Sequence, residues 1–124
     1  MRRSNILLVE DDLSSGNAIK LVLEFLDYDV DWHRCAETVY DDFRDGTPRA
    51  DAVVLDLALG RVDGVSLVKR LRAEYAALPP ILIFTALPQE VLDEAVRETR
   101  AFGGLRKPAG LHQLSSMLKL AVST

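Results

Sequence analysis

Four short strand-like runs, each stopping at a charged or hydroxyl-bearing residue, constrain this chain more than any other feature. Ile6-Leu7-Leu8-Val9 stops at Glu10-Asp11-Asp12, Ala52-Val53-Val54-Leu55 at Asp56, Ile81-Leu82-Ile83-Phe84 at Thr85, and Gly104-Leu105-Arg106 at Lys107-Pro108. Unbroken apolar runs of this length read as strands of a parallel sheet buried on both faces. Amphipathic segments separate them, so strand and helix alternate about five times, which predicts a parallel sheet covered by helices on both sides. Ligands of such sheets sit outside the carboxyl ends of the strands, so the terminal residues should converge there. Carboxylates from two strands then meet a hydroxyl and an ammonium. Crowded carboxylates repel one another unless a cation lies among them, and an all-oxygen set suits a hard ion such as Mg²⁺.

The intervening segments carry helix signals. Ser14 or Ser15 can cap a first helix with Ile19, Val22, Leu23 and Leu26 inward. Tyr28-Asp29-Val30-Asp31-Trp32 reads as a second, less apolar strand at a sheet edge. Ala36 to Arg44 is a weaker helix closed by Asp45-Gly46-Thr47-Pro48. A loop from Leu57 to Asp63 leads into a helix from Gly64 to about Tyr75, with Val65, Leu67, Val68 and Leu71 inward. Pro88 suits the first turn of the next helix, which has Val91, Leu92, Ala95 and Val96 on one side. Leu111, Leu114, Met117, Leu118 and Val122 line a last amphipathic helix.

Composition narrows the function. With 124 residues the chain fits one domain, 1–124, and no apolar stretch is long enough to span a bilayer. Met1-Arg2-Arg3-Ser4 leads into too short an apolar run for a signal peptide, so the expected location is cytoplasmic. A formal charge of −4 argues against a nucleic-acid surface. The single cysteine, Cys35, reads as buried and inert; His33 and His112 read as surface residues, and Trp32 as buried at the sheet edge.

The strand-end residues divide into roles. A carboxylate beside a divalent ion is a candidate nucleophile toward phosphorus, and Asp56 stands alone at the end of the most continuously apolar strand. Asp11 and Asp12 suit metal binding better. Lys107 can neutralise a phosphoryl oxygen, and Thr85 can donate a hydrogen bond to another.

These residues resemble the receiver domain of bacterial response regulators, from Ile6 to Val122. The matching pieces are Ile6-Leu7-Leu8-Val9-Glu10-Asp11-Asp12, Val53-Val54-Leu55-Asp56-Leu57 followed by Asp63-Gly64, Ile83-Phe84-Thr85-Ala86, and Lys107-Pro108. The resemblance implies a flavodoxin-like (βα)5 doubly wound parallel sheet of strand order 2-1-3-4-5. It implies that Asp56 accepts a phosphoryl group from a histidine kinase or a histidine phosphotransfer protein. Asp12, Asp56 and the backbone carbonyl of Ala58 would ligate Mg²⁺, with Asp11 acting through a water. Thr85 would swing toward phosphorylated Asp56, and Lys107 would pair with the phosphoryl oxygens. The readout is a population shift.

Three departures from the family stand out. Leu59-Gly60 replaces the methionine and proline that often follow the acceptor, which should loosen that loop. Gly104 stands where many receivers carry an aromatic ring coupled to the threonine, and Phe102 is the nearest substitute. Ala58 and Leu87 occupy the two positions that tune phosphoryl lifetime in this family, and neither orients water, so self-dephosphorylation should be slow.

The leading expectation is a stand-alone receiver that promotes only its own phosphotransfer and dephosphorylation, signals to a downstream protein target, and binds no nucleic acid or membrane. Arg97, Arg100, Arg106 and Lys119 lie where receivers meet partners, which allows a homodimer through the fourth helix, fifth strand and fifth helix. The alternatives are a pseudo-receiver that never takes phosphate, an Mg²⁺-dependent phosphohydrolase, and a flavin-binding flavodoxin. The phosphohydrolase would want a second acid where Ala58 stands, and the flavodoxin a hydroxyl-rich loop that Leu13-Ser14-Ser15-Gly16 imitates only faintly.

Overall fold

The computed structural model describes residues 3–46 and 49–123; Met1-Arg2, Thr47-Pro48, Thr124 and the side chain of Leu111 lie outside the described residues. The chain runs β1 (Asn5–Val9), α1 (Leu13–Phe25), β2 (Asp29–His33), α2 (Ala36–Asp45), β3 (Ala52–Leu55), α3 (Gly64–Glu74), β4 (Ile81–Thr85), α4 (Gln89–Thr99), β5 (Gly103–Arg106) and α5 (Leu111–Val122). The five strands form one parallel sheet in the order β2-β1-β3-β4-β5.

Side chains alternate across the sheet, and each face has its own core. Leu7, Val9, Val53, Leu55, Ile81 and Ile83 pack under α2, α3 and α4 through Val39, Phe43, Leu67, Leu71 and Leu92. On the other face Ile6, Leu8, Val54, Leu82 and Phe84 meet Ile19 and Leu23 of α1 and Leu114 and Leu118 of α5. Burying one such leucine stabilises the fold by roughly 2 kcal/mol, and burial on both faces explains why these strands lack polar alternation.

Several local expectations are corrected. Asp12, not Ser14 or Ser15, caps α1, its Oδ2 accepting from the Ser15 amide at 2.8 Å. Pro88 occupies the N-cap of α4 and not its first turn. Val91 faces solvent at 44% exposure, while Leu92 and Ala95 fill the core. The segment after Asp56 is no loose loop: Ala58–Leu59 pairs antiparallel with Val62–Asp63 in a small hairpin. Gly60 turns it at φ +73, a conformation that proline cannot reach, so glycine here closes a turn that the usual proline would forbid.

Cys35 is half-buried at the N-cap of α2, and its sulfur lies 3.8 Å from the Thr38 hydroxyl. His33 is not a surface residue. As the last residue of β2 it is buried, because Thr38 and Asp42, one turn apart on α2, reach its ring. Trp32 is partly buried at the edge strand, its indole Nε1 donating to the Glu10 carbonyl at 2.9 Å.

Candidate phosphoacceptor site

Register across the parallel strands builds the site. Val9 pairs with both His33 and Leu55, so the residues that follow β1 and β3, Glu10 and Asp56, emerge side by side; the Asp56 amide donates to the Val9 carbonyl at 3.0 Å. Thr85 pairs with Arg106, and the Lys107 amide donates to the Thr85 carbonyl at 2.7 Å. That bond delivers the lysine to the rim where the two carboxylates stand. The Lys107-Pro108 peptide is cis.

The Lys107 ammonium lies 3.2 Å from Asp56 Oδ2 and forms a second, closer ion pair with Glu10 Oε1. Asp56 Oδ1 accepts from the Ala58 amide at 3.3 Å, which keeps the start of the hairpin against the carboxylate. Thr85 is fully buried; its Oγ1 accepts from the Leu87 amide at 3.4 Å, which leaves the hydroxyl proton able to turn toward a ligand.

Burial pushes the Glu10 carboxyl above its ordinary value; Lys107 opposes the rise and the Asp56 charge adds to it. For Lys107, burial alone pulls downward, but the bonds and charges of Glu10 and Asp56 overcome it and leave the ammonium held above its ordinary value. One lysine thus pairs with two carboxylates, and burial disfavours the charge of one of them, Glu10.

Oxygens of Glu10, Asp11 and Asp56 lie within 4.8 Å of one another. Glu10, the first acid of its run, is therefore a site residue that the sequence reading left unassigned. Asp12 is outside this group: it is exposed and its carboxylate caps α1. A usable signal was present, since Asp12 and Ser15 have N-cap spacing, and a capping Asp12 leaves Glu10 and Asp11 for the site.

Gly104 faces α4 at close range. A Cβ there would lie 2.6 Å from Leu92 Cδ1 and 2.9 Å from Val96 Cγ2, so these side chains fill the space that a side chain at 104 would need. Phe102 does not replace it, being 41% exposed just ahead of β5.

With this geometry, comparison with known proteins is informative. The chain belongs to the response regulator receiver domain family, whose model matches residues 6–119. It is 34% identical over 119 residues to the transcriptional regulatory protein QseB of Haemophilus influenzae, covering 94% of this chain and 52% of that protein. Among solved structures it is similar to the BeF3-activated N-terminal receiver domain of Klebsiella pneumoniae RstA, with a TM-score of 0.84, 25% identity, and coverage of 98% of this chain and 100% of that one. A sensor protein from a Polaromonas species matches with a TM-score of 0.86 and 27% identity over 98% of each chain. The chain spans about half the length of the curated relatives it matches. The fold is the flavodoxin-like doubly wound sheet, and the family places the chain in two-component signalling. Among the described residues, no helix is long and apolar enough to cross a membrane.

Proposed function

We propose that this chain is the phosphoacceptor of a two-component phosphorelay, taking a phosphoryl group from a histidine kinase or a histidine phosphotransfer protein onto Asp56. The observation that carries the reading is the Lys107 ammonium lying 3.2 Å from Asp56 and paired with Glu10, at the rim where Asp11 also stands. A carboxylate oxygen of Asp56 forms the new bond to phosphorus as the bond from phosphorus to the donor imidazole breaks. Lys107 offsets charge on the phosphoryl oxygens, and Thr85 donates to one of them.

The donor set fits Mg²⁺: three carboxylates gather at one rim, Lys107 pairs with two of them, and every donor is a hard oxygen. Glu10, Asp11, Asp56 and the backbone carbonyl of Ala58 would hold the ion, and Asp12 serves as helix cap. When bound, Mg²⁺ supplies positive charge that offsets the incoming phosphoryl oxygens.

The same reading treats residues 1–124 as one receiver domain, cytoplasmic, acting through a downstream protein target, with the exposed Arg97, Arg100, Arg106 and Lys119 on a face suited to a homodimer. It turns over no external substrate. Incubation with Mg²⁺ and acetyl phosphate should produce one acid-stable, base-labile phosphoryl adduct by intact mass, abolished in Asp56→Ala. A folded protein that takes no adduct would overturn the proposal and leave a pseudo-receiver.

A further inference from the structure

Outside the phosphoacceptor site, His33 sits between two carboxylates. Its Nε2 lies 2.8 Å from Asp42 Oδ2 and 3.3 Å from Asp31 Oδ2, and its side chain is 9% exposed. Asp31 and His33 share one face of β2 because they are two residues apart, and Asp42 reaches them from α2.

The hydrogen bonds around the ring point to a cation at Nε2. Thr38 Oγ1 donates to the Cys35 carbonyl at 3.2 Å, so this hydroxyl offers a lone pair to His33 Nδ1, 2.7 Å away. In that arrangement the ring proton sits on Nδ1. That leaves the Nε2 lone pair facing two carboxylates, an arrangement that repels unless Nε2 carries a proton or a metal. No lysine or arginine pairs with Asp31 or Asp42 among the described residues. A proton offsets one of the two carboxylate charges; a divalent ion offsets both.

We propose that Asp31, His33 and Asp42 form a second metal site, distinct in chemistry from the all-oxygen set, that takes a divalent transition ion such as Zn²⁺. One nitrogen and two carboxylate oxygens are ligands that zinc accepts and that Mg²⁺ does not favour. Ligand atoms at about 2.1 Å from a tetrahedral ion lie roughly 3.4 Å apart, so the Asp31 spacing already fits, the Asp42 spacing opens by about 0.6 Å, and the two carboxylates, within 4.8 Å of each other, close on the ion. Asp31 and Asp42 are 53% and 43% exposed, which opens the fourth position to water. Thr38 supplies the fixed acceptor behind the ligating imidazole that metal-bound histidines ordinarily have. An ion here would stitch α2 to β2, whose His33 carbonyl accepts the Glu10 amide at 3.0 Å.

Calorimetric titration of Zn²⁺ into the protein held in excess Mg²⁺ tests the proposal. One Zn²⁺ site is expected, lost in His33→Ala, weakened about tenfold or more in Asp42→Asn and in Thr38→Val, and kept in His112→Ala. Retention in Asp56→Asn separates this site from the phosphoacceptor set, so either assignment can fail alone. Circular dichroism identifies the variants that fold. Absence of Zn²⁺ binding to the parent chain, or undiminished binding in folded His33→Ala or Asp42→Asn, overturns the proposal.

Discussion

Lys107 and Glu10, 97 positions apart in the chain, form an ion pair whose carboxylate side chain is 1% exposed and whose ammonium is 16% exposed. The pair sits beside Asp56, so the lysine that bridges the two carboxylates also stabilises a buried acid.

Removing the lysine leaves Glu10 desolvated and without its cation. Lys107→Met should destabilise the metal-free protein by about 3 kcal/mol at neutral pH, the usual cost of breaking a buried pair from one side. Urea denaturation measures it. Mg²⁺ should restore part of the loss, and a variant as stable as the parent would count against the pair's structural role.

The raised Glu10 carboxyl sets a pH dependence. A folded-state value above the ordinary 4.5 means that the contribution of protonated Glu10 is complete below about 4.5 and is lost as pH rises through the raised value. Lys107, held above its ordinary 10.5, contributes up to that value and loses its contribution above it. In the proposed metal set, Mg²⁺ would take the Glu10 carboxylate and compete with its proton. The gain in Tm on adding Mg²⁺ should therefore grow as pH rises through the Glu10 window, and Glu10→Gln should abolish most of that gain. An equal gain on both sides of the window would remove Glu10 from the metal set.

Ala58 is exposed at the start of the hairpin, and Leu87 lies half-buried beyond Thr85. Neither side chain can hold a water by hydrogen bonding. Ala58→Asn and Leu87→Glu should each speed loss of the phosphoryl group from Asp56 by roughly an order of magnitude, followed as decay of the adduct by mass. Unchanged or slower decay in both would refute the assignment.

Close approach of α4 to β5 makes Gly104 intolerant of a side chain. Gly104→Phe should cost about 1–3 kcal/mol through overpacking against Leu92 and Val96. Adding Leu92→Ala should return part of that loss, and a double-mutant cycle in denaturant measures the coupling. Additive effects would show that the contact is not the cause. Position 104 carries no ring, and α4 packs directly on the strand there through Leu92 and Val96.

Local pattern carried far in this chain. Unbroken apolar runs marked β1, β3 and β4, and their terminal Asp56 and Thr85, together with Lys107 after β5, were recognisable because a strand's end is visible where hydrophobicity stops. Asp12 ends an acidic run that suits metal and also stands at cap spacing to Ser15, so local pattern alone does not separate the two roles. His33 passed as a surface residue because a polar edge strand gives no sign of what packs on it.

What the amino-acid order determined alone was the alternation of strand and helix and the chemistry at each strand's end. Tertiary structure decided which of three consecutive acids meets Asp56: Val9 is level with Leu55, which sets Glu10 beside Asp56 and leaves Asp12 at the start of α1. It also decided that Leu92 and Val96 close over Gly104, and that Asp42 completes the surroundings of His33. The reason is physical. Strand register and helix approach are set by contacts between distant segments, and a pattern read within one segment carries no information about its partner's position.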